Sequence, residues 1–315
     1  MPSNVNSMFY VKQEPWHKQG VRVESALTSE EAIIKAGLDY EVAKIPTSYA
    51  FGDENRIILD KYATVRTDTG VALGVVGKIY NILQNKDAFR FFDGIVGVKE
   101  AMYDTAGALG KGERVWLLAK LPDYIRTAGN DITEKFLLLS NSHDGSSTVE
   151  VLFTGIRVVC ENTLNIALSN ATNKVSLRHT ASVGLKLDDV RKTLGLANQK
   201  FQLLEDLSKK LTKIRITSKQ LIPLIKESGV VPNVNDDELS GRAKNIIEEV
   251  SRLFETGRGA DLESAKGTAW GAWNSIIEYV DFYRGGKAEN RASSLLFGSG
   301  AKIKQKAWEK VVALL

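Results

Sequence analysis

Arg114, Trp116 and Lys120 stand at alternate positions of the run RVWLLAKL. In a β-strand, alternate side chains share a face. Arg114, Trp116, Leu118 and Lys120 therefore line one face, and Val115, Leu117, Ala119 and Leu121 the other. A cation–aromatic–cation strand face is how a single-stranded nucleic-acid platform is built: the cations hold phosphates while the ring stacks on a base. The plainer reading is a half-buried tryptophan with solvated cations beside it. Further cations extend the candidate interface. Arg157 lies near the end of a long β run, and Lys174 and Arg178 follow beyond Asn170. Lys209, Lys210, Lys213 and Arg215 lie in a basic stretch, Lys200–Lys226, with seven basic and two acidic residues. A helix opened by Asn162 and Thr163 would add backbone N–H groups able to receive a phosphate.

Other chemistries find less support. His17, His143, His179 and Cys160 are the only histidines and cysteine. None has the close paired spacing that metal ligands favour. Cys160 ends an apolar run and reads as packing. The run GVALGVVG at 70–77 has glycines spaced as GxxxGxxG inside a β pattern, whereas a dinucleotide fingerprint needs GxGxxG between strand and helix. It reads as a strand whose glycines permit close packing. Gly107–Gly112 lacks the first glycine and the Ser/Thr of a phosphate loop and reads as a loop before a strand. No motif implies a cofactor, and no carboxylate pair stands out for acid–base work.

The elements that must position these residues follow from periodicity. Thr28 with Glu30 and Glu31 marks a helix start. Strands are expected at Tyr40–Ile45, Arg56–Leu59, Tyr62–Arg66 and Val71–Ile82, the last two around an Asp68-Thr69-Gly70 turn. Asn85 is the expected cap of a helix over Lys86–Val96, with Phe89, Phe92 and Ile95 at core spacing. More strands are expected at Ala101–Tyr103, Val115–Leu121, Lys135–Ser142 and Thr148–Cys160, with a turn at His143-Asp144-Gly145. A helix over Thr163–Asn170 and a strand at Val175–His179 complete the half. From Lys186 onward the period is helical. Val190, Leu194, Ala197, Phe201, Leu204, Leu207 and Leu211 keep a three-four spacing. Further helices are expected at Ser218–Lys226, Glu238–Phe254, Thr268–Arg284 and Lys302–Leu315. The Thr268–Tyr283 helix is apolar on most sides, which predicts burial.

The expected class is α+β: an N-terminal antiparallel-sheet-plus-helix half with a β-β-β-α core, residues 1–183, and a C-terminal all-helical half, residues 184–315. Charge divides along the same line. Residues 1–155 hold 17 basic and 20 acidic residues; residues 156–315 hold 25 and 18. A basic half suggests a polyanionic partner. No apolar run approaches the length of a membrane span, and the N-terminus lacks the basic and apolar regions of a secretory signal. The expected setting is cytoplasmic, without membrane attachment.

The chain resembles the phage/plasmid-like proteins, a family largely without an assigned activity. The resemblance is carried by Pro15-Trp16-His17-Lys18-Gln19-Gly20, by Tyr103–Gly112, by Ser142–Gly145 with Leu152–Leu164, by Arg178-His179-Thr180, and by Thr268-Ala-Trp-Gly-Ala-Trp273. It implies a mobile element in a bacterial host cell and supplies no catalytic residues. The β-β-β-α order is in addition similar to the core of single-strand annealing recombinases, which form DNA-holding rings. That likeness implies a non-catalytic single-stranded DNA-binding protein acting as a homo-oligomer. A structural or protein-interaction factor without nucleic acid is the second reading. The third is an enzyme whose site would have to gather His143, His179, Asp144 or Glu161 in a pocket.

Overall fold

The computed structural model describes residues 5–11, 20–25, 27–96, 102–157, 163–165, 174–180, 188–285, 294–295 and 298–315. The expected α+β class is what the structure has, with sheets towards the N-terminus and helices towards the C-terminus. Two compact units account for the chain. The first comprises Met1–Leu121, Leu137–Leu152 and Lys174–Leu196; the second comprises Pro122–Phe136, Phe153–Asn173 and Ala197–Leu315.

The larger sheet contains β1 (Val5–Val11), β2 (Val21–Val23), β6 (Met102–Leu109), β7 (Arg114–Ala128), β8 (Asp131–Ser142), β9 (Val149–Arg157), β10 (Thr163–Asn165) and β11 (Lys174–Leu177). Its order is β10-β9-β8-β7-β6-β1-β2, with β11 also paired to β9. Strands β7 and β8 run well beyond their sequence-based bounds. Phe9, Val115, Leu117, Leu137, Leu139 and Val151 are all buried.

The first unit also holds α1 (Ser29–Lys35), α2 (Asn85–Val96) and a second sheet ordered β3 (Val42–Phe51), β4 (Glu54–Arg66), β5 (Ala72–Gly77). Helix α1 starts as its residues demand. The Thr28 hydroxyl accepts from the Glu31 amide, and the Glu31 carboxylate accepts from the Thr28 amide, so two otherwise unpaired N–H groups are satisfied reciprocally. On α2, Phe89 is buried, and Asp93 accepts the Tyr103 hydroxyl at 2.9 Å. Of the 70–77 glycines, Gly74 in β5 packs closely, while Gly70 and Gly77 have nothing within 4 Å of a Cβ position. A Cβ on Gly74 would lie 2.7 Å from the Asp144 Cα.

In the second unit, the ends of β7 and β8 form a hairpin turning at Gly129, whose φ is +51°. Helix α3 (Asp188–Leu211) contributes its residues from Ala197 onward, followed by α4 (Ser218–Ser228), α5 (Gly241–Thr256), α6 (Ala269–Glu278) and α7 (Ser299–Val312). Every residue of α6 is buried, as its all-round apolar sequence predicts. Trp273 sits between Trp270 and Trp308, with ring centroids 5.1 and 4.4 Å away. A π-helical turn over Tyr279–Tyr283 ends this segment.

Three expectations need correction. Thr163–Asn165 form β10, antiparallel to Thr154–Ile156 of β9, where the sequence predicted the first turn of a helix. The β edge of β9 offers those residues backbone partners. Gly107 belongs to β6 and pairs with Trp116; the loop starts only at Gly110. Asn85 is the first residue of α2, not its cap. His17, Cys160, Glu161, Asn162 and residues 166–170 of the expected helix lie outside the described residues.

Candidate nucleic-acid interface

The β7 face is a closed surface at its centre. Trp116 is 7% exposed. Its indole lies across Gly107, the residue directly opposite on β6: a Cβ built on Gly107 would come within 2.6 Å of the Trp116 ring. The missing side chain of glycine is what makes room for the ring. Trp116 is therefore a core residue, and the predicted stacking platform is corrected: its face is already covered by protein. Arg114 and Lys120 flank it half-buried. The even–odd alternation itself holds, since Val115, Leu117, Ala119 and Leu121 on the other face are all buried.

Remaining cations fall into two groups. Arg114, Lys120, Lys174 and Arg178 belong to the first unit, and Arg157, Lys209, Lys210, Lys213 and Arg215 to the second. Lys174 opens β11 and Arg157 closes β9. Arg178 is exposed just past β11.

The structure does gather Lys209, Lys210, Lys213 and Arg215. Helix α3 ends at Leu211, and the chain turns sharply there. The Lys213 amide bonds to the Lys210 carbonyl at 3.0 Å. The next residues run beside the segment entering α6: the Ile216 amide donates to Gly267 O at 3.0 Å, and the Ala269 amide to Ile214 O at 2.9 Å. This pairing places Arg215 beside Lys266, whose carbonyl accepts from Arg215 Nη1 at 2.9 Å. Lys266 is a cation the sequence reading missed. No local signal marks it, because it lies 51 residues from Arg215. Thr217 then starts α4 with a capping box to Gln220. All five cations are exposed. Lys209 pairs with Glu205 one turn earlier, which ties it to its own helix. Lys209 and Lys210 also sit where the negative end of the α3 dipole favours positive charge. Lys210, Lys213, Arg215 and Lys266 thus form a solvent-facing cationic end, a geometry suited to phosphate groups.

Both histidines named for a convergent enzyme site lie in one polar cluster of the first unit. His143 is fully buried, and its Nε2 lies 2.9 Å from Asn85 Oδ1. Asn85 in turn donates to the Leu38 carbonyl at 3.0 Å, which fixes its amide and makes His143 Nε2 the protonated nitrogen. Burial, with His179 nearby, pushes His143 down to about 4. His179 stacks on Tyr80 at 4.5 Å and places Nδ1 3.1 Å from the Asn81 carbonyl. Burial lowers its pKa too. Tyr80 donates its hydroxyl to Ser142 O at 2.6 Å. His143 has no exposed surface, so no external substrate reaches it. The cluster pins the 142–147 turn to the start of α2. Among the described residues, no three His, Cys, Asp or Glu side chains gather to hold a metal ion.

The arrangement defines an α+β protein with an exposed cationic end in its helical portion. No helix among the described residues is long and apolar enough to cross a membrane. Over residues 72–299 the chain matches the model of a family described as a domain of unknown function, DUF932, and it belongs to that family. No curated protein matches it. No solved structure matches it either.

Proposed function

We propose that this chain is a non-catalytic single-stranded DNA-binding protein of a phage or plasmid, acting in strand annealing during recombination. The observation that carries the reading is the cationic end formed by Lys210, Lys213, Arg215 and Lys266. Four exposed cations on neighbouring backbone segments can follow a phosphate chain, and such binding is electrostatic and tolerant of sequence. The mobile-element setting rests on the resemblance to phage/plasmid-like proteins. Arg114, Lys120, Arg157, Lys174 and Arg178 are secondary contributors in this reading, and Trp116 has none of the stacking role.

The test is fluorescence anisotropy with a labelled single-stranded oligonucleotide at low and high salt. Submicromolar binding that weakens with salt is expected. The triple variant K210A/K213A/R215A should bind more weakly, and the slope of log K against log salt should become shallower by about 0.7 per lost phosphate contact. R114A/K120A should have a smaller effect. Absence of binding by the wild-type chain at low salt overturns the reading.

A further inference from the structure

The β3-β4-β5 sheet of the first unit exposes aliphatic side chains on its outer side. Register places Ile45, Ala63 and Val75 in one row across the three strands. The opposite side carries Val42, Thr64 and Val76, all buried. Alternation thus buries one side and leaves an aliphatic row on the other, with Ile45 46% and Val75 61% exposed. Beyond this three-stranded part, β3 and β4 continue alone as a ribbon. Ser48–Phe51 pair with Glu54–Ile57 around a Gly52-Asp53 turn, Gly52 having φ +59°. All ten ribbon residues are exposed, among them Tyr49, Phe51 and Ile57. Where ribbon and sheet meet, register jumps from Pro46–Tyr62 to Ser48–Ile57. The extra residues of β4 bulge outward, with Asp60 at φ +57° and Leu59 85% exposed.

A lone two-stranded ribbon is at best marginal in water. An exposed strand edge with apolar side chains is a template for further pairing. We infer that this face and ribbon form a self-association surface, occupied by the same face of a second copy of the chain about a two-fold axis.

Charge selects the occupant. Among the exposed residues of the outer side, the ribbon and the turns beside them are Arg56, Lys61 and Lys78 against Asp53, Glu54 and Asp60. Two pairs are already matched: Arg56 with Glu54 at 3.0 Å and Lys78 with Asp60 at 3.6 Å. Arg56 also lies over the Phe51 ring, 5.0 Å from its centroid. Such a face has no single-sign field to draw a polyanion or a strongly charged protein. Both signs are present, as a face that must complement itself requires. A free strand edge is likewise complementary to its own copy, because a two-fold axis turns one edge into its antiparallel partner. Exposed aromatic and aliphatic groups with arginine match the composition of protein interfaces.

This inference is independent of the cationic end that carries the DNA-binding reading, since Lys210, Lys213, Arg215 and Lys266 belong to the other unit. Sedimentation velocity of the full chain over a concentration series tests it. A concentration-dependent mass above the monomer is expected for wild type. The variants I45K/V75K and Y49S/F51S/I57S should shift the midpoint at least tenfold towards monomer while keeping the wild-type circular dichroism. A wild-type chain that stays monomeric at tens of micromolar overturns the inference, as does a folded variant with unchanged assembly. Should a variant misfold, hydrogen exchange of the wild type decides. Amides of the ribbon and of β3 and β5 should gain protection as concentration rises, and concentration-independent exchange there overturns it.

Discussion

Trp270 donates its indole N–H to Asp131 Oδ2 at 2.8 Å, across 139 positions of sequence. The same oxygen accepts the Ser264 hydroxyl at 2.6 Å. One carboxylate at the start of β8 thus ties the β7–β8 hairpin to α6 and its approach, all within the second unit. Asp131, Ser264 and Trp270 are all buried. Asp131→Ala removes two hydrogen bonds to buried donors, each loss costing about 1–3 kcal/mol. A loss of about 2–5 kcal/mol in chemical denaturation is expected. Trp270→Phe should cost less than Asp131→Ala.

Acid should destabilise the first unit through His143. Its folded pKa, about 4, lies below the ordinary value of 6.5. The unfolded chain therefore binds the proton that the folded chain refuses as pH falls from about 6.5 towards 4. Stability contributed by the neutral ring is complete above about pH 7 and drains away through that window, by about 2 kcal/mol at pH 5. His179, lowered by burial as well, acts in the same sense. Urea melts from pH 8 to 4.5 should show this slope. In His143→Gln the slope should flatten, even though the variant starts from lower stability at pH 8.

Gly107→Ala tests the close packing of β1 and Trp116 around Gly107. The new methyl would lie 2.4 Å from the Ser7 carbonyl oxygen and 2.6 Å from the Trp116 ring. A backbone oxygen in the middle of the β1–β6 pairing cannot step aside cheaply. A loss of about 1–3 kcal/mol is expected from overpacking, seen as a lower denaturation midpoint with an unchanged m-value. A midpoint close to wild type would show that the packing around Gly107 is loose.

Lys304 and Asp281 form a buried ion pair at 2.8 Å in the second unit, with both side chains almost fully covered. Lys304→Met alone leaves a buried carboxylate without its cation and should cost about 3–5 kcal/mol. Adding Asp281→Asn should recover part of that loss. A double-mutant cycle that came out additive would show the two groups to be uncoupled.

Local chemistry made much of the fold legible. The capping box at Thr28 and Glu31, the alternation along Val115–Leu121 and the three-four spacing of α3 involve neighbours within one or two turns or pleats, where side-chain period alone decides which face is apolar. The all-round apolar sequence of α6 likewise admits only burial. The cluster Lys209–Arg215 was also visible, because seven residues of chain cannot scatter four cations far.

Tertiary structure decided the rest, because the deciding partners are remote in sequence. Trp116 became core because Gly107, on the neighbouring strand, offers its ring a seat. Asn85 was diverted from capping α2 to holding His143, 58 positions away. Asp131 carried no local signal, and Ser264 and Trp270 lie far from it in sequence. Thr163–Asn165 took β structure because the edge of β9 supplied hydrogen-bond partners that propensity cannot foresee. Exposure on the β3-β4-β5 outer face is of the same kind: the sequence determines that Ile45 and Val75 are apolar, while only the assembled sheet determines that they are exposed.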